Sequence, residues 1–166
     1  MKQAALPVSF GGLGLRKLSD LALPCSLSSL HFCLELVESV LPSNRGLTVE
    51  TDIVEATQEW KDATGLDETP DLSNASKQKA WDEMRSEQLR TSLIDQGSQL
   101  DRCRLLAASK AESGAWLHAT PVPTLGTHLS APTLRTAIAF RVGATVAEAY
   151  ECECGSPADW LGSSLH

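Results

Sequence analysis

Residues 19–41, SDLALPCSLSSLHFCLELVESVL, decide the fold because apolar side chains recur in them at helical spacing. The repeating positions are Leu21, Leu23, Leu27, Leu30, Leu34, Val37 and Leu41. Ser19-Asp20 can cap the start of this helix, and the turn-forming cluster at residues 42–46 ends it. Pro24 marks either a kink or a new first turn. The stretch predicts a protein built from helices.

Two further helical patterns follow this first helix. One begins at about Thr48 or Thr51, runs to Thr64 and carries its apolar residues on one face. The next begins at residues 73–74, where serine and asparagine can cap it, and is interrupted at Gly97. We therefore expect a long helix on each side of an exposed acidic loop.

The remaining helices are predicted from their capping residues. Ser98 and Asp101 resemble a capping box, so a fresh helix starts there and continues towards Gly114. The final helix spans residues 131–142, with Ser130 as its cap. The prolines and threonines between these two helices exclude a further helix in that stretch. The periodic pattern fades beyond residue 146.

These patterns predict an all-α fold of four to five helices, with a long irregular loop near residues 114–130 and a loose C-terminal tail. Residues 1–146 form the helical domain and residues 147–166 the tail. Cys25, Cys33 and Cys103 lie in helical patterns and are most simply small buried hydrophobes. The expected core contains Leu27, Leu30, Leu34, Val37, Trp60, Trp81, Met84, Leu89, Leu93, Leu106, Trp116, Ile138 and Phe140.

Composition excludes several classes of protein. The chain has 166 residues and a formal net charge of −7, and its apolar content is that of an ordinary soluble domain. No apolar run approaches the roughly 20 residues that a membrane-spanning helix needs. The N-terminal residues lack the apolar region of a signal peptide. We therefore expect an intracellular protein, cytoplasmic or nuclear, with reduced thiols and no membrane partner.

Charge is distributed unevenly along the chain. Residues 35–71 hold ten acids and two bases, whereas residues 77–110 hold seven bases and five acids. One interpretation is that both segments are solvated helix faces that pair with each other. Another is that the acidic segment binds a basic protein partner. A third is a nucleic-acid stripe formed by Lys77, Lys79, Arg85, Arg90, Arg102, Arg104 and Lys110.

Motifs of catalysis are absent from the sequence. There is no G-x-S-x-G, no H-E-x-x-H and no phosphate-binding G-x-x-x-x-G-K-[ST], so we assign no catalytic residue. Residues 11–14, GGLG, are interpreted as a turn where backbone packs closely. Cys152 and Cys154, with His166, are of the residue types that bind zinc, although three ligands do not complete a closed tetrahedral site.

Three blocks of sequence, in order, carry a family resemblance. The first reads LPVSFGGLGLR at residues 6–16 and is followed by SDLALP and LSSL. The second reads RLLAAS at residues 104–109 and is followed by SGAWLHA. The third reads RTAIAFRVG at residues 135–143 and leads to CECG at residues 152–155. Over nearly the whole chain, these blocks resemble the region just downstream of the reverse-transcriptase domain in non-LTR-type retrotransposon polyproteins of invertebrates.

The resemblance implies a fragment without catalytic activity, because the family's polymerase aspartates belong upstream of Met1. It also implies a zinc-binding knuckle in the parent protein. Cys152, Cys154 and His166 match the first ligands of that knuckle, and the later ligands are absent here, so zinc is expected only in a longer, intact version. We expect this segment to assist in binding template RNA or target DNA. The alternative function is a helical protein-interaction module that uses residues 35–71.

Overall fold

The computed structural model describes residues 2–40, 49–146, 148, 150, 151, 153, 155, 157 and 158. In chain order the helices are α1 (Leu18–Val40), α2 (Val49–Thr64), α3 (Leu72–Ala75), α4 (Gln78–Gln96), α5 (Gln99–Ala108), α6 (Ala115–His118) and α7 (Ala131–Val142). Short 3-10 turns occupy Gln3–Ala5, Val8–Phe10 and Pro123–Leu125. Strands β1 (Tyr150–Glu151) and β2 (Pro157–Ala158) pair antiparallel, with Tyr150 opposite Ala158. The predicted all-α fold is confirmed.

The capping residues position the later helices as predicted. The Ser98 hydroxyl accepts a hydrogen bond from the backbone N–H of Asp101 at 3.1 Å, and the Ser130 hydroxyl accepts one from that of Thr133 at 3.3 Å. Gly143 ends α7 with a φ of +69°, in the left-handed region that favours glycine. Local signals of this kind act within a few residues, which is why they can be read from sequence.

Helix α5 ends earlier than the sequence predicted. It stops at Ala108 instead of continuing towards Gly114, and Glu112 adopts a φ of +68° in the turn that follows. The predicted irregular loop near residues 114–130 contains the single-turn helix α6 and one 3-10 turn. Residues 110–113 carry no proline or glycine, so no local signal marks this early stop.

The chain divides into two compact units. Unit 1 comprises residues 1–15 and 90–166, and unit 2 comprises residues 16–89. The predicted boundary after residue 146 stays a prediction, because most of residues 147–166 lie outside the described residues. Unit 2 is continuous in sequence, whereas unit 1 is assembled from the two ends of the chain.

The core of unit 2 is built around two tryptophans. Trp60 of α2 and Trp81 of α4 are buried and pack in a T shape, with ring centroids 5.1 Å apart. Leu27 of α1 and Ala75 of α3 complete the buried cluster. The Trp81 indole N–H donates to the carbonyl oxygen of Ala75 at 2.8 Å, which fixes the ring in place.

Pro24 lies inside α1 and is buried, so the predicted kink or new first turn falls within one continuous helix. Because proline has no N–H, it leaves the carbonyl of Asp20 without its usual helical donor. The Arg85 guanidinium supplies one, donating to the Asp20 carbonyl oxygen at 2.8 Å and to its carboxylate at 2.7 Å. Arg85 therefore compensates for the proline.

The core of unit 1 differs in detail from the predicted one. Leu6, Leu105 and Val142 are buried, whereas Leu106 and Phe140 are exposed. The buried face of α5 therefore includes Leu105 rather than Leu106. Because the two leucines are adjacent, the sequence pattern did not show which of them is buried. In the part of the chain that the structure describes, no helix is both long and apolar enough to cross a membrane.

Candidate functional site

A buried arginine organises unit 1. Arg141 of α7 is 7% exposed, and its guanidinium donates to four backbone carbonyls. The distances to the acceptors are 2.9 Å to Gly12, 3.1 Å to Ser113, 2.8 Å to Val8 and 3.3 Å to Ala108. Burial lowers the pKa of Arg141, although a guanidinium stays charged at neutral pH. The side chain joins the N-terminal segment to α5, α7 and the turn before α6.

A second arginine extends this network. Arg104 of α5 donates to the side-chain oxygen of Gln3 at 2.5 Å and to the carbonyl of Arg141 at 2.9 Å. The buried Gln3 amide in turn donates to the carbonyls of Gly11 at 2.9 Å and Arg141 at 3.0 Å. Asp101 accepts from Arg104 at 2.7 Å, and the hydrogen bonds from Arg104 and Ser98 hold the pKa of its carboxyl below the ordinary value.

The three sequence blocks that carry the family resemblance meet in this network. Gly12 belongs to the first block, Arg104 to the second and Arg141 to the third. Gly12 must be glycine, because a Cβ atom there would lie only 2.0 Å from the carbonyl oxygen of Leu6. The predicted close packing of backbone at GGLG is therefore what the structure shows.

The predicted nucleic-acid stripe does not form a single set of free side chains. Arg85 and Arg104 are half-buried and hydrogen-bonded to Asp20 and Asp101, neither of which belongs to the acidic segment 35–71. The half-buried Arg90 guanidinium lies 5.8 Å from the centre of the Phe10 ring. The exposed members are Lys77 and Lys79 of unit 2 and Arg102 and Lys110 of unit 1.

Charge separates between unit 2 and the part of unit 1 that precedes the tail, because residues 147–166 of unit 1 hold four acids and no base. Unit 2 holds seven bases and fourteen acids, so its net charge is −7. Over residues 1–15 and 90–146, unit 1 holds seven bases and three acids, a net charge of +4. Beyond Arg102 and Lys110, its exposed bases include Lys2 and Arg135. The acidity of the whole chain therefore comes from unit 2 and from the tail.

Helix α2 presents acidic side chains to solvent. Asp52, Glu55, Glu59 and Asp62 are exposed and follow one another at intervals of three, four and three residues. This spacing places them on one face of the helix. The opposite face carries the buried Trp60.

The cysteine predictions have different outcomes. Cys25, Cys33 and Cys103 are exposed free thiols, so their prediction as buried residues is wrong. Cys25 and Cys33 lie on the side of α1 that faces away from Leu27. Because α1 carries apolar residues on both sides, its sequence did not show which side is buried. Cys152, Cys154 and His166 lie outside the described residues, and their zinc set stays a prediction. Gly155, between β1 and β2, has a φ of +81°, a backbone conformation suited to a tight turn.

The cavities of unit 1 include one of about 250 Å³ beside Gln3, Asp101 and Arg104. Another, of about 340 Å³, is lined by Ser9, Ser109, Lys110, Glu112 and His118 among others. Hydroxyl, ammonium and imidazole groups are donors that phosphate oxygens accept from. Within the described residues, no group of three or more His, Cys, Asp or Glu side chains is placed to hold a metal ion.

Comparison with known proteins finds no relative for this chain, since no family model, no curated protein and no solved structure matches it. Sequence reasoning did not single out Gln3 or Arg141 as important residues. Gln3 bonds to the carbonyl of Arg141, 138 positions away, and Arg141 to that of Gly12, 129 positions away, so no local pattern marks these contacts.

Proposed function

We propose that this chain is a non-catalytic helical segment of a retrotransposon reverse-transcriptase-like polyprotein, and that its unit 1 contacts nucleic acid. The observation that carries the nucleic-acid contact is the separation of charge, because residues 1–15 and 90–146 have a net charge of +4 in a chain whose total is −7. A locally positive surface attracts phosphates even on an acidic protein.

The proposed family assignment rests on the three ordered blocks of sequence. The three resembling blocks supply Gly12, Arg104 and Arg141, which join one hydrogen-bonded network. Residues that lie far apart in sequence but stabilise the same part of a structure are expected to occur together in related chains. This network therefore gives the ordered blocks a shared physical reason.

Within unit 1, the nucleic-acid contact centres on the exposed bases Arg102 and Lys110. Lys110 lines the 340 Å³ cavity together with His118 and Ser9, which can donate to a phosphate group, and the lining also includes Glu112. Arg104 and Arg141 lie within the packed unit and hold the backbone that carries these bases. The contact is with the phosphate backbone, so it discriminates little between sequences.

Fluorescence anisotropy with labelled single-stranded RNA and duplex DNA tests this proposal across a salt series. The test variant is Arg102→Glu with Lys110→Glu. Its matched control, Lys77→Glu with Lys79→Glu, makes the same change in charge within unit 2. We expect the test variant to bind at least about ten-fold more weakly and its log–log salt slope to fall by about 2, while the control keeps the wild-type affinity.

Two results would contradict the proposal. Equal losses in both variants would assign the contact to the whole basic stripe of residues 77–110 rather than to unit 1. Wild-type protein with no salt-dependent binding to either nucleic acid would remove the function. Circular dichroism of each variant confirms that its helices are intact before affinities are compared.

A second candidate function is favoured by the exposed acidic face of α2. That face would bind a basic protein segment by complementary charge. Titration with a short lysine- and arginine-rich peptide should show affinity that weakens in Glu55→Lys with Glu59→Lys. The control, Asp67→Lys with Glu68→Lys, changes the charge by the same amount in the loop after α2. Equal losses of affinity in the two variants would show that the peptide responds to net charge and not to the acidic face of α2.

A further inference from the structure

Helix α1 has two apolar faces, and the core of unit 2 covers one of them. Leu27 on the first face is buried against Trp60 and Trp81. On the opposite face Leu18 is 87% exposed, Phe32 69%, Leu36 60% and Val40 71%. A helix that is apolar on both sides is ordinarily covered on both sides. We therefore expect another apolar surface to cover the second face.

The exposed face follows the spacing of a helix–helix seam. The positions on this face are Leu18, Ala22, Cys25, Ser29, Phe32, Leu36 and Val40. Successive positions are four, three, four, three, four and four residues apart. Alternating steps of three and four are the repeat of left-handed helix pairs. Cys33 lies next to Phe32 on the same face and is also exposed. We call these eight residues the α1 seam.

We infer that the α1 seam binds a second copy of this chain, with the two α1 helices antiparallel about a two-fold axis at Ser29. The seam contains no charged residue, so two copies meet without burying an unpaired charge. A two-fold interface must be complementary to itself, which requires large side chains to face small ones.

The sequence meets that requirement near the two-fold axis. Antiparallel pairing about Ser29 sets Phe32 opposite Ser26 of the second copy and Leu36 opposite its Ala22, and Cys33 faces its Cys25. Ser29 faces its own counterpart, and the small residues at the centre allow the two backbones to approach. The bulky residues Leu18 and Val40 meet at the two ends. A parallel pair would instead set Phe32 against Phe32 and Leu36 against Leu36.

Charge at the helix ends favours the same direction. In an antiparallel pair the positive N-terminal end of each helix dipole lies beside the negative C-terminal end of the other.

The area of the seam also suits a dimer. The four large side chains expose roughly 500 Å² in each copy, compared with about 800 Å² per partner in a standard interface. The smaller seam residues add to that area. The interface is independent of the proposed nucleic-acid contact, because α1 belongs to unit 2.

Sedimentation of the full chain over a range of concentrations tests the dimer. The test variant is Leu36→Glu, which places a charge in the seam at an exposed position. The matched control is Val54→Glu, which makes a similar change at a 67% exposed position of α2 outside the seam. We expect wild type and control to dimerise and Leu36→Glu to raise the dimer dissociation constant about ten-fold or more. A wild-type chain that stays monomeric at every concentration overturns the proposal.

Disulfide trapping tests the register. A variant with Cys103, Cys152 and Cys154 changed to serine retains Cys25 and Cys33, and diamide accepts the two electrons and two protons released when two thiols join. We expect a covalent dimer linked from Cys25 of one copy to Cys33 of the other, lost in both Cys25→Ser and Cys33→Ser. A Cys25–Cys25 link that survives Cys33→Ser would overturn the antiparallel register, as would a dimer that diamide does not trap.

Discussion

At the scale of single residues, Arg141 shows how a charge can be held inside a small protein. Each of its hydrogen-bond acceptors in the described part of the chain is a backbone carbonyl, two from the N-terminal segment and two from the end of α5 and the turn that follows. Buried carbonyls without a donor destabilise a fold, so the guanidinium and its acceptors satisfy one another. The five donors of arginine make it the side chain suited to this position.

Replacing Arg141 by lysine should destabilise unit 1 by about 3 kcal/mol, because an ammonium group cannot reach all four carbonyls and leaves some unpaired. Arg135→Lys, at an exposed position of the same helix, should leave stability unchanged. Urea unfolding followed by circular dichroism measures both variants. Equal stability of the two would contradict the role assigned to Arg141.

The two buried tryptophans should respond differently to the same substitution. Trp81 donates a hydrogen bond to Ala75, whereas the indole N–H of Trp60 has no acceptor among the described residues. Trp81→Phe and Trp60→Phe lose similar volume, so the difference between them reports the hydrogen bond. We expect Trp81→Phe to be the more destabilising by about 1 kcal/mol in urea unfolding. The reverse order would contradict this assignment.

At the scale of elements, α1 shows how a helix tolerates an internal proline. Pro24 removes a helical donor, and Arg85 from α4 replaces it at the carbonyl of Asp20. The same guanidinium pairs with the Asp20 carboxylate, which fixes its orientation. A side chain that the sequence assigned to a nucleic-acid stripe therefore has a structural role within unit 2.

A double-mutant cycle tests this compensation. Arg85→Lys should destabilise the wild-type chain more than it destabilises Pro24→Ala, because alanine restores the N–H that bonds to the Asp20 carbonyl. We expect a coupling energy of about 1 kcal/mol from thermal or urea unfolding. Additive effects of the two substitutions would show that Arg85 stabilises the fold through the Asp20 carboxylate alone and not through the Asp20 carbonyl.

The elements also show which features of the fold could be predicted from the sequence. The bounds of α7 and the start of α5 were predicted because Ser130, Gly143 and Ser98 act on their own neighbours. The side of α1 that is covered was not predicted, because leucines and cysteines occupy both faces. Arg141 was missed for a different reason, since its role depends on carbonyls contributed by stretches far away in sequence.

At the scale of the whole molecule, the two units should respond to acid in different ranges of pH. Burial lowers the pKa of His31, which stacks on Trp81 in unit 2. The unfolded chain then takes up the proton first, so stability falls as the pH drops below about 6.5. In unit 1 the pKa of Asp101 is also lowered, and its contribution is lost only at a pH below about 3.9.

Thermal unfolding at pH 7.5 and pH 5.5 measures the first of these effects. We expect wild type to lose stability between the two values and His31→Gln to lose less, since glutamine does not titrate. The exposed His118→Gln serves as the control and should behave as wild type. An identical loss in wild type and His31→Gln would show that other groups govern the response.

The hydrogen bonds of unit 1 also impose an order on its assembly during synthesis. Gln3 bonds to the carbonyl of Arg141, 138 positions later, so the N-terminal segment emerges from the ribosome long before its partner exists. Residues 16–89 are complete by then and need no later residue to form their own core. We therefore expect unit 2 to fold before unit 1 closes, since the contacts of the first fifteen residues with α7 span most of the chain.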